Sequence, residues 1–247
     1  SYPEEANDAF FEIEENSFWF KHRNNCIINV IEKYSTKKIL FDVGGGNGFI
    51  SKGLEKNNIE AILVEPGIKG ALNGKKRNLK NIICSSFQEA KFKDKSIPNI
   101  GIFDVLEHIE KDNAFLDDLH QVLSDDGKLF ITVPAFKFLW SNEDVSSGHF
   151  RRYTINQLNK KLNASNFEMV YSTYIFSILP LPIFLLRTIT SWFSKAKELD
   201  YEKESQRHSP NNKKSIIDSV WDKEIDFIKK GKKIPFGGSC LIVAKKK

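Results

Sequence analysis

Between Ser17 and Tyr34, apolar side chains recur at Phe18, Trp19, Cys26, Ile27, Val30, Ile31 and Tyr34, a spacing of three and four that predicts a helix. The rhythm then changes. Lys38 to Val43 is a short β-rich run ending in Asp42 and a glycine cluster, and helical spacing returns from about Phe49 to Asn57. Ile59 to Val64, Asn81 to Ser85 and Asn99 to Val105 read as three further strands, each short and apolar. Phe115, Leu116, Leu119, Val122 and Leu123 share one helix face behind an Asp112 cap, and Asp126-Gly127 closes that helix before a strand at Lys128 to Val133. Thr154 and Gln157 have capping-box spacing, so a helix is expected from Ile155, followed by a strand over Phe167 to Phe176. After a polar stretch from Tyr201 to Lys214, read as an exposed linker or loop, Ile216, Ile217, Val220, Trp221, Ile225 and Ile228 restore helical spacing before a last strand at Ser239 to Ala244.

Strands that are apolar throughout and separated by helices need cover on both faces, which predicts a doubly wound α/β domain with a parallel sheet. One such domain accounts for residues 1–247, with the helix over 17–34 as a lid and residues 175–230 as a helical insertion or substrate cap. Composition agrees: of 247 residues, 40% are hydrophobic and 28% charged, which excludes disordered, collagen-like and coiled-coil chains. Cys26, Cys84 and Cys240 are widely spaced, so neither a disulfide framework nor a zinc knuckle is expected and a reducing compartment suits the chain. A net charge of +5 is too mild to imply nucleic acid, though it suits an anionic substrate or surface. No export signal is recognisable, and the apolar stretch Ile175 to Ile189 carries Pro180, Pro182 and Arg187, too short and interrupted to span a bilayer. A cytoplasmic location is expected.

The chemistry begins at Asp42-Val43-Gly44-Gly45-Gly46-Asn47-Gly48, where the first strand meets its helix. Glycines there let a ligand approach the backbone, and the helix beyond offers free N–H groups. Glu65 ends the second strand, where a carboxylate can accept both hydroxyl protons of a ribose. An adenosine-type ligand follows. A dinucleotide turn would want glycine where Phe49 stands; the third glycine is instead Gly48.

The D-x-G-x-G-x-G pattern resembles class I S-adenosylmethionine-dependent methyltransferases. The likeness continues through Leu63-Val64-Glu65-Pro66, Phe103-Asp104-Val105-Leu106-Glu107-His108 and Gly127 to Pro134. It implies S-adenosylmethionine as cofactor and a Rossmann-like, mostly parallel seven-stranded sheet with an antiparallel last strand. It further implies that Asp42 orients the methionine moiety, that Gly44, Gly46 and Gly48 make room for it, and that Glu65 holds the ribose. Ser86 and Phe87 would flank the adenine, although Phe87 could equally be a core residue. More narrowly, the aromatic first helix, Gly148-His149-Phe150-Arg151-Arg152-Tyr153 and Pro235-Phe236-Gly237-Gly238-Ser239 are similar to a bacterial subgroup of these enzymes. Many members of that subgroup look associated with glycan or lipid pathways.

Acceptor residues are expected in the polar loop after the fifth strand. There His149 could act as a base, and Arg151, Arg152 and Tyr153 could bind substrate; the alternative is that the arginines pair with Glu143 and Asp144 and pin the loop. Asp104, Glu107 and His108 lie at i, i+3 and i+4 and could converge on a divalent ion. The preferred reading has Asp104 touching the cofactor and Glu107 and His108 capping the turn, with no metal. The expected reaction is methylation, at oxygen, of a small-molecule, lipid-linked or glycan acceptor, with peripheral membrane contact through 175–197 and no nucleic-acid partner. A non-catalytic cofactor-binding protein and a nucleic-acid methyltransferase are the alternatives.

Overall fold

A computed structural model describes residues 7–193 and 216–247. The linker expected over 201–214 lies outside the described residues. Helices α1 (Asn7–Asn16) and α2 (Phe18–Tyr34) precede β1 (Ile39–Val43), α3 (Phe49–Lys56), β2 (Glu60–Val64), α4 (Ile68–Lys76) and β3 (Asn81–Ile83). The second half runs β4 (Ile97–Phe103), α5 (Asp112–Val122), β5 (Leu123–Pro134), α6 (Asn142–Ser146), α7 (Ile155–Ala164) and β6 (Phe167–Ile175). A helical stretch follows, made of α8 (Pro180–Ile183), a π-turn (Phe184–Thr188) and α9 (Ile189–Phe193), and after the gap come α10 (Ile216–Lys229) and β7 (Ser239–Lys246).

The seven strands are ordered β3-β2-β1-β4-β5-β7-β6. All neighbours run parallel except that β7 is antiparallel to both β5 and β6. Alternation along β7 shows why the strands lack polar faces. Cys240, Ile242 and Ala244 belong to one apolar core with residues of α5 and α7, while Leu241 and Val243 belong to the other, with residues of α2, α3 and α10. Both sheet surfaces are buried, as an almost wholly parallel sheet requires.

The first helix of the prediction is α2, capped by the Ser17 hydroxyl, which accepts from the Trp19 and Phe20 N–H groups. It packs on α10 rather than standing free. His22 Nε2 lies 2.9 Å from Glu224, whose carboxylate also accepts the Phe176 and Ser177 N–H groups, and the His22 and Trp221 rings stack 4.7 Å apart. Among the described residues of the insertion expected over 175–230, then, α10 is part of a sheet-covering layer, and the stretch from Leu179 to Arg187 reaches the ligand cavity.

Three helices have no counterpart in the prediction: the short α6, inside the segment expected as a polar loop, and α1 and α4. α1 and α4 pack on each other, held by Arg77 just beyond α4, which donates to Glu14 (2.8 Å), Glu15 and the Phe11 carbonyl. Asn47 donates to the Asn7 carbonyl at 2.9 Å, fastening α1 to the glycine turn. α4 carries Gly70 and Gly74 and α1 spreads four acidic residues over ten positions, so neither has a clear apolar stripe.

Candidate active site

The carboxyl ends of β1, β4 and β5 meet α1, α2 and the Leu179–Arg187 segment around a cavity of about 560 Å³. This edge is where open α/β sheets gather their loops. On one side the Gly44–Gly46 backbone forms the wall. Gly44 and Gly48 have φ of +70° and +72°, and a Cβ on Gly44 would stand 2.9 Å from Val105 Cγ2. The turn therefore presents bare backbone to the cavity, leaving room for the methionine end of the expected cofactor. Asp104, just past the end of β4, also lines the cavity and has φ +56°, a left-handed conformation that Asp tolerates. Its carboxylate accepts from Arg23 and, at 3.1 Å, from the Thr132 hydroxyl.

Asp42 is fully buried beneath the turn, one oxygen accepting the Ser51 hydroxyl at 2.7 Å and the other without a partner. Burial pushes its carboxyl up to about 6, against the lowering bond from Ser51. Glu65, expected to hold a ribose, is engaged by backbone. It is also fully buried and outside the cavity, because its two oxygens accept the Gly46 and Gly67 N–H groups at 2.9 and 2.8 Å. Here it braces the glycine turn, and a ribose would have to share those lone pairs. Ser86 and Phe87 also stand outside the cavity. Ser86 exchanges hydrogen bonds with Glu89, and Phe87 packs edge-on against Phe115 in the core, the core alternative raised for it.

The polar loop divides. Arg151 pairs with Asp112 at 2.7 Å and donates to the Glu110 carbonyl, and the buried Tyr153 donates to Asp112 at 2.9 Å. Neither lines the cavity, and Asp112 engages both, so the structure does not bring these two of the expected acceptor residues together with His149. Burial raises the Asp112 carboxyl, but the bonds from Lys161, Arg151 and Tyr153 prevail and hold it below its ordinary value. Arg152 does line the cavity, yet its guanidinium is committed to Asp144 through two bonds of 2.8 and 2.9 Å.

His149 reaches the cavity with its ring oriented. Its Nδ1 lies 2.8 Å from Asp144, which is 1% exposed and also held by a capping box with Ser141. Asp144 stays below the ordinary carboxylate range because the bonds from His149 and Arg152 outweigh its burial. Beside it stand Glu107 and His108. The His108 and His149 rings meet edge-to-face at 4.7 Å, and the Phe150 N–H donates to the Glu107 carbonyl at 2.8 Å, joining the two loops. Burial drives the His108 imidazole down to about 4, and burial followed by Asp104 drives the Glu107 carboxyl up.

Sequence reasoning missed Glu14 and Phe10 of α1, which line the cavity and left no signal in the sequence. Arg187, paired with Glu143, and the apolar residues Leu179, Pro182, Ile183 and Leu186 also line it, on the proline-interrupted run that the sequence offered as a substrate cap.

The methyltransferase-domain family model matches residues 20–172. No curated protein sequence matches the chain. Among solved structures, an S-adenosylmethionine-dependent methyltransferase of Thermotoga maritima described as a possible histamine N-methyltransferase is 14% identical, with a TM-score of 0.61, over 97% of this chain and 94% of its own. Geranyl diphosphate C-methyltransferase of Streptomyces coelicolor is 10% identical (TM-score 0.59) over 92% of this chain and 78% of its own. Phosphoethanolamine N-methyltransferase 2 of Haemonchus contortus is 14% identical (TM-score 0.60) over 98% of this chain and 57% of its own. At these identities the neighbours share a fold, while the family match covers more than half of the chain. The chain belongs to the methyltransferase-domain family and is a class I S-adenosylmethionine-dependent methyltransferase.

Proposed function

We propose that this methyltransferase acts on a hydroxyl group of an acceptor that also carries an apolar portion, and that His149 is the residue that meets the hydroxyl. The carrying observation is the cavity's division of labour: the ring of His149, oriented by Asp144, shares one chamber with the bare Gly44–Gly46 backbone, while Leu179, Pro182, Ile183 and Leu186 form an apolar wall. Gly44 to Gly46 and Asp104 would hold the methionine end of S-adenosylmethionine, with Asp42 supporting the turn from below. The cofactor supplies an electrophilic methyl group on a sulfonium leaving group. The chain's own task is then alignment, which can supply up to about 7–11 kcal/mol of the barrier, together with activation of the acceptor oxygen. With Nδ1 committed to Asp144, the ring has Nε2 left for that activation.

A lipid-like acceptor is favoured because the apolar wall continues to the outside. Leu186, on the cavity, is 72% exposed, and Leu181 and Leu185 on the same stretch are 67% and 49% exposed. A chain resting there on a lipid surface would receive its acceptor at the cavity mouth. No helix among the described residues is long and apolar enough to cross a membrane.

His149→Ala tests the reading. Calorimetry with S-adenosylhomocysteine is expected to give wild-type affinity within about twofold, while methylation of lipid-extract acceptors, followed as S-adenosylhomocysteine release, falls 100-fold or more. Full turnover in the variant, or release only with acceptors lacking a hydroxyl, would sink it.

A further inference from the structure

The Glu107 side chain is fully buried, and neither of its carboxylate oxygens has a hydrogen-bond partner. A buried carboxylate is normally met by two or more donors, because leaving it bare costs several kcal/mol. What stands beside it are two imidazoles: one potential metal-ligand atom each of Glu107, His108 and His149 lies within 4.8 Å of the other two. Imidazole nitrogens and a carboxylate oxygen gathered at one point are a set of lone pairs, and what such a set lacks is a cation.

We propose that Glu107, His108 and His149 bind a divalent transition-metal ion of the zinc type. This deepens the function proposed above and rests on it only for the ion's role, not for its binding. Three features support the site. Both loops that carry it are fastened together through the Phe150 N–H and the Glu107 carbonyl, so the ligand set does not depend on a mobile strand of chain. The His149 imidazole is oriented from behind by Asp144 at 2.8 Å, the arrangement that fixes the tautomer of a metal-binding histidine. All three residues line the cavity, so three protein ligands would leave the remaining coordination open toward the acceptor, as in catalytic rather than structural zinc sites. Two imidazoles among three ligands favour zinc, cobalt or nickel over magnesium, which takes oxygen ligands. Asp104 falls outside the set because Arg23 and Thr132 already hold it. With Nδ1 held by Asp144, His149 Nε2 would be a ligand to the ion and would act on the acceptor through it: the ion, and not the imidazole as a base, would lower the pKa of a hydroxyl in the cavity. The balance is then simple: the hydroxyl proton passes to solvent, the oxygen forms the new bond to the methyl carbon, and the sulfonium C–S bond breaks to leave the thioether.

The test is metal binding to the whole chain, stripped with a chelator and carrying Cys84→Ser to remove an exposed thiol that could bind zinc adventitiously. Calorimetry with zinc chloride is expected to show one tight site, with magnesium chloride at least 100-fold weaker, and cobalt chloride to give the visible absorption of a low-symmetry nitrogen and oxygen site. His108→Ala and Glu107→Gln should each weaken zinc by 100-fold or more without changing S-adenosylhomocysteine affinity. Asp144→Asn, a positioning change, should weaken it by about 10- to 100-fold and shift the cobalt spectrum. Absence of a tight zinc site in the parent chain overturns the proposal, as does a site unmoved by both ligand substitutions. Tight zinc binding without any methyl transfer would instead count against the acceptor reading alone, while methyl transfer in a zinc-free chain that cannot bind the ion would count against the metal alone.

Discussion

Gly44 shows how one missing carbon makes a ligand site. Its φ of +70° strains any side chain, and Val105 Cγ2 already occupies the space a Cβ would need, 2.9 Å away. Gly44→Ala must therefore either push Val105 back into the core or lift the turn toward the cavity. We expect the dissociation constant for S-adenosylhomocysteine to rise tenfold or more, about 1.4 kcal/mol, by calorimetry; unchanged affinity would mean that the turn does not touch the cofactor. Asp144 and His149 are the converse case, since what matters there is an added contact. Asp144 is placed to hold His149 and Arg152 together, and the loop reading made from residue types alone saw the arginine pairing but not the histidine that shares the same carboxylate. Residue types announced which groups could pair. Which of two basic neighbours an acid would take depended on the direction each side chain leaves the loop, and that sent Arg151 to Asp112 and Arg152 to Asp144.

Among the elements, α1 closes the glycine-turn side of the cavity, and its docking carries a titratable group. Glu14 is 4% exposed and its carboxyl is raised by burial to about 7, despite the lowering influence of Arg77 and Arg23. A carboxyl with a raised folded pKa binds its proton more tightly when docked. Docking is therefore most stable near and below the ordinary carboxylate value, weakens as pH climbs from there to about 7, and is level above. Hydrogen-exchange protection of the α1 amides should fall about tenfold or more between pH 5 and 8, and Glu14→Gln should flatten the profile. Protection that grows with pH would contradict this account. α1 was illegible in the sequence for a related reason. Its anchors, Arg77 and Asn47, lie far along the chain, so the helix is held by polar contacts at a distance rather than by an apolar stripe of its own. The strands were legible because burial on both faces writes an apolar run that needs no knowledge of the neighbours; even so, β3 stops at Ile83, short of the expected Ser85, and β5 begins at Leu123, ahead of the expected Lys128.

For the molecule as a whole, the cavity mouth and the exposed apolar surface lie on the same stretch of chain. Phe138 and Phe236, 51% and 42% exposed, stack with centroids 6.3 Å apart, and Phe184 of the π-turn meets Phe138 at 6.2 Å, extending the patch begun by Leu181 and Leu185. With a net charge of +5, a membrane bearing anionic lipid is the surface that suits it. Co-sedimentation with phosphatidylglycerol vesicles should capture the chain, and the pair Leu181→Glu and Leu185→Glu should release it without altering S-adenosylhomocysteine affinity. Failure of the parent chain to bind such vesicles would remove the lipid-surface part of the proposal and leave the hydroxyl acceptor standing.

Local pattern was enough to specify a βα-alternating chain and a glycine turn built for a nucleoside-type cofactor, because periodicity and backbone freedom are properties of neighbouring residues. Long-range convergence made the rest. Glu65 was turned under its own loop by two amide groups, Arg151 and Tyr153 were drawn to Asp112, and Glu107, His108 and His149 were brought to one point by the meeting of the loops after β4 and β5. Each of those outcomes depends on which segments of a folded sheet end side by side, a relation that spacing along the chain does not encode.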